Sequence, residues 1–300
     1  MRYKTTTQEF IFLLIYFVYL IAVLGDYTIF SEYSICALAF KVLRYVCYFL
    51  AVIKVIRDGF EKKQLAEMIV VFACIACTVL FSGNKTFGFY FLMILAAKDM
   101  SVRKIVKLTC YVQGICLALC IVLSQMGIVQ DYIFDPYGRG RHGLGYVWTT
   151  TAPILFFFFM MTYIYLRKER MHTAEFIILE IINYWLFIKT DARMSFYLSS
   201  LMLLVVFFIR FFRKNRENSG VINKLLIISP AIMCGVAIFL HAGYNSASEG
   251  WNSLNSLLSG RLALGYNGLD SYGITLFGQP IRWVGFSHGA APGTYNYVDC

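Results

Sequence analysis

The chain has 300 residues, of which 59% are hydrophobic and only 15% charged; soluble domains carry roughly 25% charged residues, so a water-soluble globule is excluded. The formal charge of +10 invites a nucleic-acid reading. That is excluded as well, because the basic residues lie in short stretches between apolar runs, where membrane topology is set, and form no single patch.

A membrane-spanning helix needs about 20 mainly apolar residues. In chain order the segments with this character are 9–25, 34–56, 65–81, 86–97, 105–123, 146–166, 174–190, 194–212 and 225–243. The expected fold is therefore all-α: a polytopic transmembrane helical bundle over 1–243, followed by an extracytoplasmic loop over 244–300. The first segment is not a signal peptide, since its apolar run is long and Tyr27-Thr28-Ile29-Phe30 offers no small-residue cleavage site. The fourth is short, with polar ends at Thr86 and Lys98, and is expected to tilt little or to be re-entrant.

Charge orients the bundle. With the N-terminus in the cytoplasm, sixteen basic residues fall inside, among them Arg57, Lys62, Lys63, Arg103, Lys168 and Arg213. Seven fall outside: Lys85, Arg139, Arg141, Lys189, Arg193, Arg261 and Arg282. The positive-inside rule favours this orientation.

Two outer segments stand out. One is 124–145, between the fifth and sixth spans, and the other is 244–300. Within the second, Trp251, Leu254, Leu258, Leu262 and Leu269 recur at helical spacing, which predicts a helix lying on the outer membrane surface. Gly278, Pro280, Gly285, Gly289, Pro292 and Gly293 then read as irregular loop. The chain stops at Cys300 with no returning helix, as a piece of a longer protein would.

Nine cysteines give no disulfide framework. Eight lie in apolar segments, where a thiol is a small packing group. Cys74 and Cys77 have the C-x-x-C spacing but no second pair or His in a polar setting. No metal site, cofactor motif or soluble-enzyme signature is present. Gly83-Asn84-Lys85-Thr86 resembles the end of a phosphate-binding loop, yet lacks the upstream Gly.

What recurs is outward arginine in Gly-rich or turn settings: Arg139 and Arg141 in Gly138-Arg139-Gly140-Arg141-His142-Gly143, Arg193 in Thr190-Asp191-Ala192-Arg193, Arg261 after Ser259-Gly260, and Arg282 after Gly278-Gln279-Pro280. Guanidinium is permanently charged and matches phosphate oxygens bidentately, while Gly lets backbone approach a ligand. The five arginines are candidates for a lipid pyrophosphate. His142 and His288 are the outer histidines near them, and His is the usual proton acceptor near neutral pH. Arg44 and Glu180 fall near the middle of the second and seventh spans. Intramembrane charges are functional candidates by default. A pair between these two, a structural clamp and a place on a transport path are all open at this point.

Three stretches carry a family resemblance: Arg139-Gly140-Arg141-His142-Gly143-Leu144-Gly145-Tyr146, Thr190-Asp191-Ala192-Arg193-Met194-Ser195-Phe196, and Leu257-Leu258-Ser259-Gly260-Arg261-Leu262 with Tyr272-Gly273-Ile274-Thr275-Leu276-Phe277-Gly278-Gln279. Together with the span layout they resemble the bacterial O-antigen and capsular or exopolysaccharide polymerases of the Wzy type. Ala192 stands where that family usually has Ser.

The resemblance implies a metal-independent glycosyl transfer at the outer face of the cytoplasmic membrane, with no cofactor. A hydroxyl of one undecaprenyl-pyrophosphate-linked repeat unit attacks the anomeric carbon of another, and undecaprenyl pyrophosphate leaves. A flippase and a chain-length regulator are the implied protein partners. Two rivals share these features in part: an O-antigen-ligase-like transferase, and a non-enzymatic flippase or transporter of lipid-linked glycans.

Overall fold

Away from water, backbone N–H and C=O groups must be paired within the segment, so long apolar runs become helices. The computed structural model describes residues 7–60, 62–134, 140–167, 170–212, 220–258, 260–282 and 284. In order these form α1 (Thr7–Asp26), a 3₁₀ turn (Ile29–Glu32), α2 (Ser34–Asp58), α3 (Lys62–Ser82), α4 (Thr86–Ala96) and α5 (Val102–Gln125). A short antiparallel hairpin follows, β1 (Ile133–Phe134) and β2 (Arg141–His142). Then come α6 (Thr151–Arg167), α7 (Thr173–Thr190), α8 (Arg193–Phe212), α9 (Gly220–Ala242), α10 (Glu249–Leu257) and α11 (Arg261–Tyr272).

Among the described residues, α1, α2, α5 and α8 are long and apolar enough to cross a membrane. Among the same residues, apolar stretches of 10–17 residues are described in α3, α4, α6 and α9, and α7 carries Glu175, Glu180 and Lys189. Helix α1 shows why lipid suits these surfaces. Phe12, Ile15, Tyr19 and Ala22 are buried on one face, while Phe10, Leu14, Phe17 and Ile21 are exposed on the other. A helix apolar on both faces needs a nonaqueous surround.

The chain divides into two units, Met1–Glu61 with Phe89–Arg213, and Lys62–Gly88 with Lys214–Cys300. In the first unit α1 packs on α2 and α5, α5 on α6, and α6 on α7 and α8. Small residues let these helices approach: Cys47 and Ala51 of α2 are buried in one cluster with Phe12, Ile15 and Tyr19 of α1. Tyr48 stacks on Phe89 at 4.2 Å between ring centroids. Polar side chains tie helices across the apolar interior, with the Tyr16 and Thr109 hydroxyls 3.0 Å apart and Gln113 Nε2 donating to the Leu155 carbonyl at 2.8 Å.

In the second unit α9 packs on α11. The His241 imidazole lies directly against Gly265 there, since a Cβ would come within 1.7 Å of His241 Cδ2. The aromatic rings of Tyr244, Trp251 and Tyr266 meet edge to face beside it.

Two boundaries differ from the sequence expectation. The sixth apolar run begins at Tyr146, but its helix begins at Thr151, because Tyr146 is drawn into a β-bridge with Thr28. The apolar stripe from Trp251 to Leu269 is divided between α10 and α11. Gly260, left-handed at φ +80°, stands just before α11. Within the stripe, Leu262 is turned inward and buried.

Candidate functional site

The segment after α5 carries most of the candidate chemistry, and its frame is backbone. Gly143 N–H donates to the Tyr132 carbonyl at 2.8 Å, setting a register in which Ile133 faces His142 and Phe134 faces Arg141. The chain then returns to the loop after α1, where Ile29 N–H donates to the Gly145 carbonyl at 3.1 Å and Val147 N–H to the Tyr27 carbonyl at 3.2 Å. Leu144 and Tyr146 are buried anchors beneath this lacing. Gly145 has φ +83° and lies against Cys120, whose sulfur would be 2.9 Å from an added Cβ.

Asp131 fastens the hairpin from the side. Its Oδ1 accepts from Leu144 N–H at 2.8 Å, and its Oδ2 lies 2.6 Å from His142 Nδ1. The two side chains are 20% and 30% exposed, so the pair is sheltered but reachable. Sequence reading singled out His142 and missed Asp131. The signal was faint: one of two acidic residues in the segment 124–145, eleven positions from the histidine it contacts.

Arg141 leaves the hairpin toward α7. Its Nε donates to the Thr190 carbonyl at 2.9 Å, joining residues 49 apart in sequence. The last carbonyls of a helix lack internal donors and carry the negative end of its dipole, so a cation is favoured there. One of five guanidinium donors is used, and no other protein group meets the Arg141 guanidinium among the described residues. Successive strand residues alternate sides, which sends Arg141 and His142 to opposite faces of the hairpin.

The chain reverses within two residues of Thr190. Asp191 is left-handed, with φ +46°, and its N–H donates to the Phe187 carbonyl at 2.8 Å. Arg193 then begins α8, its Nε 3.2 Å from Asp191 Oδ1, with the side chain 54% exposed. The turn thereby collects Arg141 and Arg193. A cation at the start of a helix meets the positive dipole end, a cost of about 0.3–1 kcal/mol. Arg261 is in the same electrostatic position, at the first residue of α11 and exposed. Arg282 belongs to the second unit, where its backbone N–H donates to the Tyr272 hydroxyl at 3.0 Å. Arg139 and His288 lie outside the described residues.

The expected Arg44–Glu180 pair is replaced by two separate arrangements. Arg44 Nη1 is 2.9 Å from Asp26 Oδ2. Helix α2 overshoots the end of α1, as the Phe40 ring covering Gly25 also shows. Arg44 therefore sits level with the last turn of α1, away from mid-span. Glu180 Oε1 instead accepts from the Ser200 hydroxyl at 2.5 Å, and Asn183 Nδ2 donates to Ser200 Oγ at 3.0 Å. This seam joins α7 to α8; Glu180 Oε2 is buried without a hydrogen bond among the described residues. The two partnerships can be separated by double-mutant cycles on unfolding free energy. Arg44→Leu with Asp26→Asn is expected to show coupling of about 1 kcal/mol, and Arg44→Leu with Glu180→Gln additivity within about 0.5 kcal/mol.

No family model, curated protein or solved structure matches this chain.

Proposed function

We propose that this protein is a polysaccharide polymerase of a bacterial cytoplasmic membrane. In this reading nine segments cross the bilayer with the N-terminus inside, and 244–300 forms an outer loop. The enzyme joins undecaprenyl-pyrophosphate-linked repeat units at the outer face, without metal or cofactor.

The observation that carries the reading is the turn between α7 and α8, where Arg141 contacts the Thr190 carbonyl and Arg193 pairs with the adjoining Asp191, although the two arginines come from separate parts of the chain. Positive charge there opposes the α8 dipole. A bound diphosphate reverses that penalty, accepting both from guanidinium groups and from free amides at the helix start. Arg261 at the start of α11 repeats the pattern.

In the reaction, the acceptor hydroxyl oxygen forms a bond to the anomeric carbon. The bond from that carbon to the diphosphate oxygen breaks, and its electron pair departs with undecaprenyl pyrophosphate. Preorganised arginines stabilise the charge that develops on the leaving group. The hydroxyl proton passes to His142. An in-line displacement separates incoming nucleophile from leaving group, the same sense in which His142 and Arg141 diverge from the hairpin.

The test is reconstitution. Purified protein in liposomes, supplied with undecaprenyl-pyrophosphate-linked repeat units and excess EDTA, is expected to yield a ladder of glycan lengths on gel electrophoresis. One undecaprenyl pyrophosphate should be released per linkage formed. Single repeats persisting unchanged, with the protein folded and inserted, would refute polymerisation. Transfer of one repeat to a different acceptor would favour the ligase-like activity.

A further inference from the structure

We infer that Asp131 is the positioning residue that makes His142 a proton acceptor, by holding the imidazole proton on Nδ1 and leaving Nε2 with a free lone pair. The inference rests on the polymerase reading for the identity of the proton donor, a glycan hydroxyl. Its structural half stands independently.

A carboxylate only accepts hydrogen bonds. With Asp131 Oδ2 at 2.6 Å, His142 Nδ1 is the donor. In the neutral ring the proton is then on Nδ1, and Nε2 is the basic nitrogen. No hydrogen-bonding group meets Nε2 among the described residues.

Asp131 cannot swing away easily, because Leu144 N–H holds its other oxygen at 2.8 Å. Leu144 is itself fixed, fully buried and held at φ +54°. A β-hydrogen-bonded register keeps His142 opposite Ile133. The carboxylate thus spans the last residue of β2 and Leu144 in the turn after it, and fixes both the tautomer and the plane of the ring. A carboxylate that served only as a hairpin staple would be satisfied by any donor. Here one oxygen already performs the stapling through Leu144, and the second is committed to the imidazole.

During glycosyl transfer the hydroxyl O–H bond breaks as the oxygen bonds to the anomeric carbon, and the proton moves to Nε2. The ring then carries a positive charge, stabilised by Asp131 at Nδ1. After undecaprenyl pyrophosphate departs, the proton is released to water and the neutral ring returns. No oxidant, metal or further reactant enters.

Asp131→Asn separates stapling from positioning. Asn Oδ1 still accepts from Leu144 N–H, but its amide presents a donor to His142 Nδ1, so the imidazole proton moves to Nε2. Histidine-selective nitrogen NMR on detergent-solubilised full-length protein reads the tautomer, with the His142 resonance assigned by its loss in His142→Gln. The expected result is Nδ1–H in the wild type and Nε2–H in Asp131→Asn. In the liposome assay, Asp131→Asn and His142→Gln are each expected to lower kcat by at least about 100-fold, with KM changed little and no further loss in the double variant. Nε2–H in the wild type would overturn the inference, whatever the activity. Full turnover by Asp131→Asn, with the tautomer switched and Arg193→Ala inactive, would overturn the proton role while leaving the polymerase reading intact. Absence of polymer from the wild type, with the expected tautomers, would instead remove the polymerase reading and with it the assigned proton donor.

Discussion

Arg193→Ala is expected to leave the protein folded and inserted while lowering polymer formation about 100- to 1,000-fold, the loss typical when one preorganised charge-stabilising donor is removed. Fold and insertion should survive because the Arg193–Asp191 pair is half-exposed and at the surface, a setting in which ion pairs contribute about 1 kcal/mol or less. Single repeat units should accumulate on lipid, read as collapse of the glycan ladder to its lowest band. Arg193→Lys should recover less than about tenfold, since an ammonium cannot make the two parallel bonds of a guanidinium fork. A wild-type ladder from the Ala variant would show that the positive charge at the α8 start does not hold the leaving group.

The second large effect is steric. Gly143→Ala places a Cβ 2.5 Å from the Tyr146 carbonyl oxygen and 3.2 Å from that of Tyr132. Both obstacles are backbone, so neither can rotate aside, and the hairpin must open. Disruption of a packed segment of this kind costs about 1–3 kcal/mol. The same opening separates Asp131 from His142 and Arg141 from Thr190, so stability and polymerisation should fall together. The comparison is Gly235→Ala in α9, where nothing lies within 4 Å of the added Cβ and a stabilisation of about 0.5–1 kcal/mol is expected. Thermal unfolding in detergent would show the midpoint of the first variant several degrees lower and that of the second slightly higher. An unchanged midpoint for Gly143→Ala would mean that the hairpin does not pack against the loop at Tyr146.

The helices were legible because apolar runs of the right length have one outcome in a medium without water. Thus 9–25 corresponds to α1, 105–123 to α5 and 194–212 to α8. What was not legible depends on pairings between distant residues. Tyr146, Val147 and Trp148 read as helix because they are apolar. They are instead the returning edge of a loop, fixed by bonds to Tyr27 and Thr28 that no local pattern encodes. Arg44 read as mid-span because depth was counted along α2 alone. Its level is set by how far α2 extends past α1, and only the Asp26 contact reveals that. Glu180 was one candidate partner for Arg44. A serine and an asparagine on the α7–α8 seam supply its surroundings instead, through Ser200, twenty positions away.

The site arginines divide along the same line. Arg141 and Arg193 were selected for their Gly-rich and turn settings, and composition gave no means of bringing them together. The reversal at left-handed Asp191 makes their partners neighbours, the Thr190 carbonyl for Arg141 and the Asp191 carboxylate for Arg193. Asp131 was the more serious omission, because a lone carboxylate has meaning only once its two acceptor oxygens are assigned.

The bonds joining Tyr27 and Ile29 to Val147 and Gly145 link an early connection of the chain to a late one. The connection after α1 emerges early, yet its partners appear only when α5 and the hairpin have been made. Closing so long a loop carries an entropic penalty that earlier helix pairing reduces. The α1–α2 and α1–α5 contacts shorten that loop, so the constellation around Asp131 and Arg141 is expected to close after those helices have paired.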